Sequence, residues 1–309
     1  MIRVTTSTIF DRITTQLGQQ QARLAETQER ISTGRNYLKP SDAPDQVAAL
    51  DRLESSVRKA DQYLKNIAAI NDKLSLQELA ITAVNDDLTR AQELLIQGAN
   101  GTLNNLSKEA LAIELESIYN NLISVGNSKD TDGSYLFSGF IQGTQPFSSS
   151  NDPLVGGFND FFAGNDAVQK IAVDDGYGLD VGMPGSRLFS GFDDVNGDST
   201  NLFKVMKQAV NALRSDDSDA LRNAISEVGK GLEHVNVKLA QVGSRMRVTE
   251  TQTLILDERT TTLESMISSV KDLDYVSAVT ELKNQSLALQ AGQSSFAQIS
   301  NLSLFNYIK

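Results

Sequence analysis

Few side chains in this sequence could do chemistry, and their spacing argues against most of it. The 309 residues hold one histidine, His234, and no cysteine. Zinc takes several nitrogen or sulfur ligands, so a lone imidazole does not make a site. Thiolate nucleophiles and disulfides are excluded outright. His234 lies in the helical run GLEHVNVKL and reads as a surface or seam residue. Gly176-x-Gly178 is followed by Gly182, one residue late for a dinucleotide-binding turn, and fits β-turn glycines better. No phosphate-binding loop, nucleophile elbow or H-E-x-x-H pattern occurs. Asp193, Asp194, Asn196 and Asp198 surround Gly197. Oxygen ligands suit calcium, but this is not EF-hand spacing. A solvated acidic turn is the simpler reading, and whether the 193–198 loop binds an ion stays open. Carboxylates are plentiful and nothing singles out an acid–base pair. The sequence therefore offers no catalytic, cofactor or metal residue.

Composition narrows the class. The net charge is −11, which argues against a nucleic-acid surface. No run of about 20 apolar residues exists to span a membrane, and the first 30 residues lack the apolar core of a secretory signal. Aromatics make up 6% and tryptophan is absent, so aliphatic seams must carry the core.

Those seams are helical. Phe10, Leu17, Leu24 and Ile31 stand seven apart, with Ile13 beside them and Gln20 and Thr27 diluting the second seam position. Thr5 to Thr8 can cap this helix at its start, and Gly34 stops it in the left-handed conformation. Pro40 and Pro44 hold the preceding residues away from the helical region, which makes a stiff connector. Leu53, Ala60, Ile67, Leu74, Ile81, Leu88 and Leu95 then repeat at seven over a proline-free stretch, a helix of roughly 80 Å ended by Gly98 and Gly101. Ser107 can cap a third helix, whose apolar face runs Leu111, Leu115, Ile118, Leu122 and Val125.

Between Gly126 and Gly197 the pattern breaks. Thirteen of the 21 glycines and eight of the 12 phenylalanines lie there. Strand-like pieces occur at Ser134–Phe140, Ala167–Val173 and Leu179–Gly182. Helical spacing returns at Asn201 and continues to the end through Leu282, Leu289, Phe296, Ile299 and Leu302. Asn284 to Ile308 carries no charge, unlike a solvent-facing helix. Desolvating Ser or Gln costs less than desolvating an ion, so this helix suits burial against protein, with the N-terminal helix as partner.

The expected fold is mainly α: a long antiparallel helical bundle or coiled-coil rod built from both chain ends, with a small β-rich domain inserted in the middle. The expected domains are 1–44 with 272–309 (terminal helices and linker, for assembly), 45–133 with 199–271 (helical rod) and 134–198 (β insert). The expected assembly interface is Phe10, Ile13, Leu17, Leu24, Ile31, Leu282, Leu289, Phe296, Ile299 and Leu302. Gly34, Pro40 and Pro44 form the domain joint.

These residues also carry a resemblance. LALQAGQSSFAQISNLSLF, preceded by Asp272-Leu273-Asp274-Tyr275, resembles the C-terminal helix of the flagellin superfamily. Glu29-Arg30-Ile31-Ser32-Thr33-Gly34 is similar to the close of that family's N-terminal helix. Lys39-Pro40-Ser41-Asp42 with Pro44, Ser134 to Gly139, and Val242-Gly243-Ser244-Arg245 resemble the hook-associated protein 3 branch, the hook–filament junction proteins. The resemblance implies a non-enzymatic, secreted structural subunit of the bacterial flagellum, exported unfolded by the type III route with an export chaperone. It implies self-association in a helical ring between hook-associated protein 1 and flagellin, with no cofactor, no nucleic acid and no membrane insertion. The alternatives are a short filament flagellin, a cytosolic coiled-coil adaptor, or a binding or enzymatic module in the insert. The last would require a pocket of convergent polar groups, where a shallow acidic surface is expected.

Overall fold

The seven-residue repeat of the second helix is where the core begins. In the computed structural model, Ile67, Leu74, Ile81, Leu88 and Leu95 are all at most 1% exposed, and each such side chain is worth about 1.5–3 kcal/mol of transfer from water. The structure describes residues 2–100, 103–141, 143–148, 152–155, 157–215 and 217–305; within these, the side chains of 2–7, 9 and 299–305 are left aside. The helices are α1 (Ile2–Thr33), α2 (Pro44–Gly98), α3 (Asn105–Gly126), α4 (Phe158–Phe161), α5 (Gly185–Phe189), α6 (Leu202–Ser215), α7 (Ser218–Lys271) and α8 (Tyr275–Phe305). The strands are β1 (Gln169–Asp174), β2 (Tyr177–Val181), β3 (Ser190–Asp193) and β4 (Ser199–Asn201). The fold is mainly helical, with long helices from both ends and a small strand region between them. None of the described helices is long and apolar enough to cross a membrane.

The chain divides into two compact units, Met1–Lys59 with Glu258–Lys309, and Ala60–Asp257. In the second unit α2 and α7 run antiparallel. The Thr249 hydroxyl donates to Asn71, and Asn85 donates to Asn236 at 2.7 Å. As the α2 partner advances from 71 to 85, the α7 partner recedes from 249 to 236. Polar pairs at single positions fix the register of an otherwise aliphatic seam. α3 packs on α6, with Arg214 reaching Glu109 at 3.3 Å and Glu116 at 2.9 Å.

The inserted module is built from two antiparallel hairpins, β1–β2 and β3–β4. The first presents Val173, Leu179 and Val181 to the core and pairs Lys170 with Asp180 at 3.8 Å. It is fastened to the long helices by Tyr63 on Asp175 (2.9 Å), Asn66 on the Ala172 carbonyl (2.8 Å), Gln252 on Asp174 (3.2 Å) and Arg245 on the Gly182 carbonyl (2.9 Å). The phenylalanines of this region collect around Phe147. Its ring lies 4.9–6.3 Å from those of Phe158, Phe161, Phe162, Phe189 and Phe203. That clustering explains the local enrichment: short hairpins have little area to bury, and aromatic rings bury the most per residue.

Four local expectations need correction. Thr5 to Thr8 do not cap α1, because the helix already runs from Ile2. The cap of α3 is Asn104, whose side chain accepts from Ser107 N–H at 2.8 Å; Asn competes for caps as well as Ser does. Ser134–Phe140 is not a strand: it makes one isolated bridge, Lys129 with Tyr135, and its backbone also bonds to separate loop segments, Phe137 C=O accepting from Gly185 N–H and Ser138 C=O from Asn165 N–H. The C-terminal helical run is broken after Ser215, which the spacing did not show; the second break, at Asp272–Asp274, falls where the acidic-Tyr entry to the last helix was expected. α2 does end at Gly98; Gly101 lies outside the described residues.

Candidate functional site

The side chains with chemical potential are absorbed by structure. His234 Nε2 donates to the Arg187 carbonyl at 3.1 Å, and its ring leans on Phe192 at 5.1 Å. Burial, helped by the Lys238 ammonium, holds the imidazole below its usual range, so it is neutral near pH 7. Asp193 to Asp198 form the turn of the β3–β4 hairpin. Asp194 Oδ1 accepts from the N–H of Asn196 at 2.8 Å and of Asp198 at 3.0 Å, and Gly197 takes φ 91°. Among the described residues no group of three or more His, Cys, Asp or Glu could hold a metal. Described residues of the insert and of α2 line a cavity of ≈ 40 Å³, far below the roughly 300 Å³ of a small-molecule site.

The remaining feature is the pairing of the two chain ends. In the first unit α1 and α8 run antiparallel. The Phe10 and Phe296 rings meet edge to face, 5.4 Å apart and at 81°. At the other end Arg30 reaches Glu281 at 3.2 Å. Both helices close on each other through alternate steps of three and four. α1 contributes Phe10, Ile13, Leu17, Gln20, Leu24 and Thr27; α8 contributes Ala278, Leu282, Gln285, Leu289, Gly292 and Phe296. This is the spacing of a coiled-coil seam. At Gly292 the helices come close: a Cβ there would sit 3.0 Å from Leu17 Cδ2.

Most of the seam is only half buried. Phe10, Ile13, Leu17, Leu24, Ile31, Leu282, Leu289 and Phe296 all have intermediate exposure, as two helices can cover only one face of each other. The side chains of Ile299 and Leu302 lie outside the described residues. Spacing alone did not show that the tightest points are small: Thr27 is 1% exposed and Ala278 3%. Thr27 and Gln20 looked like dilutions of the second seam position, yet their spacing of seven from Ile13 was the signal that they face inward. On the outer side of α8, Val276, Val279 and Leu287 are 79%, 42% and 65% exposed. No charged residue lies between Asn284 and the end of the helix.

A clasp holds this pair at its base. Asn36 N–H donates to the Lys271 carbonyl and Leu273 N–H to the Gly34 carbonyl, both at 2.9 Å. Gly34 stands at φ 68°, where a side chain would be strained, and its open side faces the Tyr275 hydroxyl. Asp274 starts α8 by accepting the hydroxyl of Ser277 at 2.7 Å and the backbone N–H of Val276 at 3.0 Å. These bonds, the Ser277 hydroxyl first, hold its carboxyl below the usual range. The connector then makes a single 3₁₀ turn, Pro40–Asp42, in which Lys39 N–H donates to Asp42 at 2.9 Å, and Pro44 opens α2. Proline fits there because the first helical N–H has no partner to lose.

Comparison with known proteins matches this arrangement at both ends. The bacterial flagellin N-terminal helical region matches residues 4–142, and the bacterial flagellin C-terminal helical region matches 225–308. The flagellar hook-associated protein 3 of Escherichia coli is 26% identical over 91% of this chain and 92% of its own length. That of Salmonella typhimurium is 25% identical over 98% of this chain and 99% of its own. The solved hook-associated protein-3 of Legionella pneumophila has a TM-score of 0.64 at 15% identity, over 71% of this chain and 98% of its own; at that identity the likeness is one of fold.

Proposed function

Because the chain belongs to the flagellin family, whose N- and C-terminal helical regions both match it, we propose that it is the structural subunit joining the flagellar hook to the filament. One observation carries the reading: the α1–α8 seam is closed on one side only, the open side of α8 bears Val276, Val279 and Leu287, and the described helix carries no charge from Asn284 onward. An isolated protein gains nothing from baring Val276, Val279 and Leu287. A subunit packed among sister copies buries them at little desolvation cost, since Ser, Gln and Asn surrender weaker hydration than ions do. The likeness to the two hook-associated protein 3 relatives, at 25–26% identity against 20–23% for two flagellins matched over similar lengths, favours the junction over the filament.

In this reading residues 1–44 and 272–309 form the assembly domain. Phe10, Ile13, Leu17, Leu24, Ile31, Leu282, Leu289, Phe296, Ile299 and Leu302 are its proposed assembly interface. Residues 45–133 and 199–271 form the rod, and 134–198 the outer domain. Gly34, Pro40 and Pro44 act as a stiff joint, because proline-limited backbone transmits direction better than a flexible linker. The subunit works by contact and stiffness, without catalysis. It is secreted unfolded by the type III route, kept from premature assembly by an export chaperone, and sits in a helical ring with hook-associated protein 1 on one side and flagellin on the other.

The test is a strain lacking this chain, complemented with the wild type or with Leu289→Asp. The proposal expects the deletion to shed unpolymerised flagellin and not to swim, the wild type to restore swimming, and Leu289→Asp to be secreted yet fail to restore it. A deletion strain with normal filaments overturns the junction role. Filaments grown from the purified protein alone would favour a short filament flagellin instead.

A further inference from the structure

The second unit contains a buried polar atom for which the protein supplies no partner. Gln77 on α2 is 1% exposed. Its Nε2 donates to the Leu136 carbonyl at 3.4 Å, which fixes the orientation of the amide. Oε1 is then buried without a protein donor. Gln77 is part of the wall of the ≈ 40 Å³ cavity, together with Lys73, Asp130, Leu136 and Gly182. Lys73 Nζ stands 3.9 Å from Asp130 Oδ2, beyond direct hydrogen-bonding reach. Asp130 Oδ1 is already taken by the N–H groups of Asp132 and Ser134, at 2.9 and 3.0 Å. The cavity wall therefore presents an ammonium donor, an amide acceptor and a carboxylate oxygen without direct bonds to one another.

We propose that this cavity is a built hydration site. Ordered water donates to Gln77 Oε1 and accepts from Lys73 Nζ, and bridges the ammonium to Asp130 Oδ2. Size and charge select the ligand. A space of ≈ 40 Å³ accommodates about two waters and no metabolite. A bound cation would have to share the wall with the Lys73 ammonium, which already balances Asp130. Water alone offers the donor that Oε1 needs and the acceptor that Lys73 needs. The site joins α2 to the turn after α3 and to the open end of the β1–β2 hairpin, where Gln169 pairs with Val181, so it completes the polar fastening of that hairpin. This inference does not depend on the flagellar reading.

The test is a high-resolution crystal structure of the full chain, wild type and Gln77→Met, with rubidium-soaked crystals read by anomalous scattering, alongside thermal unfolding. An ordered oxygen within hydrogen-bonding distance of Gln77 Oε1, silent in the rubidium data and lost in Gln77→Met, is expected. The unfolding midpoint of Gln77→Met should fall by about 2–4 °C, since the water and the Leu136 carbonyl lose a partner. Gln77→Glu, which keeps a side-chain acceptor at this position, should retain the oxygen. A rubidium peak would make the site a cation site and overturn the proposal. So would wild-type density with nothing at Oε1, or a Gln77→Met midpoint equal to or above the wild type. If Gln77→Met does not fold, the wild-type density and the rubidium data decide.

Discussion

Replacing Phe10 and Phe296 by leucine, singly and together, probes whether the two chain ends are coupled in the free subunit. The rings meet edge to face with centroids 5.4 Å apart, and such a pair contributes about 0.5–1.5 kcal/mol beyond the area it buries. Leucine keeps an apolar body in the half-buried seam and removes the ring edge and face. Each single change therefore loses the ring–ring term, and the double change loses it only once. The expected coupling is about 1 kcal/mol, or about fivefold in the local opening equilibrium. Global unfolding would miss this, because the helical ends open separately from the core around Val84. The assay is native-state hydrogen exchange at the amides of α8 around Leu289 to Phe296, at low protein concentration. Amides in the Ile81–Leu88 stretch of α2 serve as the internal control. Opening that is additive across the cycle to within about 0.3 kcal/mol would refute the pairing as an energetic unit. So would coupling that spreads equally to the α2 control.

Three further outcomes follow from the geometry. Phe147 is fully buried among five rings, so Phe147→Ala should lower stability by about 3–5 kcal/mol in urea unfolding; a loss below about 1 kcal/mol would mean the cluster collapses freely. Gly34→Ala should cost about 1–2 kcal/mol locally, read as faster exchange at the Leu273 amide, and Gly34→Asn should cost less because Asn tolerates positive φ. His234 has a folded-state pKa below its unfolded value of 6.5. As pH falls through about 6.5 the unfolded chain therefore takes up the proton first, and stability is lost until the folded imidazole also protonates. The fall in stability from about pH 7 to about pH 5 should be shallower in His234→Gln than in the wild type; equal slopes would show that the histidine is not the group responsible.

The sequence by itself determined the elements whose signal is periodic and long. Seven apolar residues at a spacing of seven can be satisfied only by one helical face, and α2 takes that form from Pro44 to Gly98. Phe10 and Phe296 could be matched as partners from opposite ends because each sits on a stripe at heptad spacing, and the absence of charge from Asn284 to Ile308 marked the helix that stays partly open. Proline and glycine placed the connector, since their backbone limits act locally. What the tertiary structure decided was everything that rests on non-local competition. Ser134–Phe140 looks extended by composition but has no strand ladder to join, so its bonds go singly to loop partners such as Asn165 and Gly185. The β3–β4 hairpin is too short to show alternation and exists because the Asp194–Asp198 turn closes it. Thr27 and Ala278 became the tightest points of the α1–α8 seam because close approach of two helices favours small side chains, and only the partner helix reveals where that approach occurs. The orphaned oxygen of Gln77 belongs to the same class: a residue polar by type and buried by position, whose meaning depends on the cavity that three distant segments build around it.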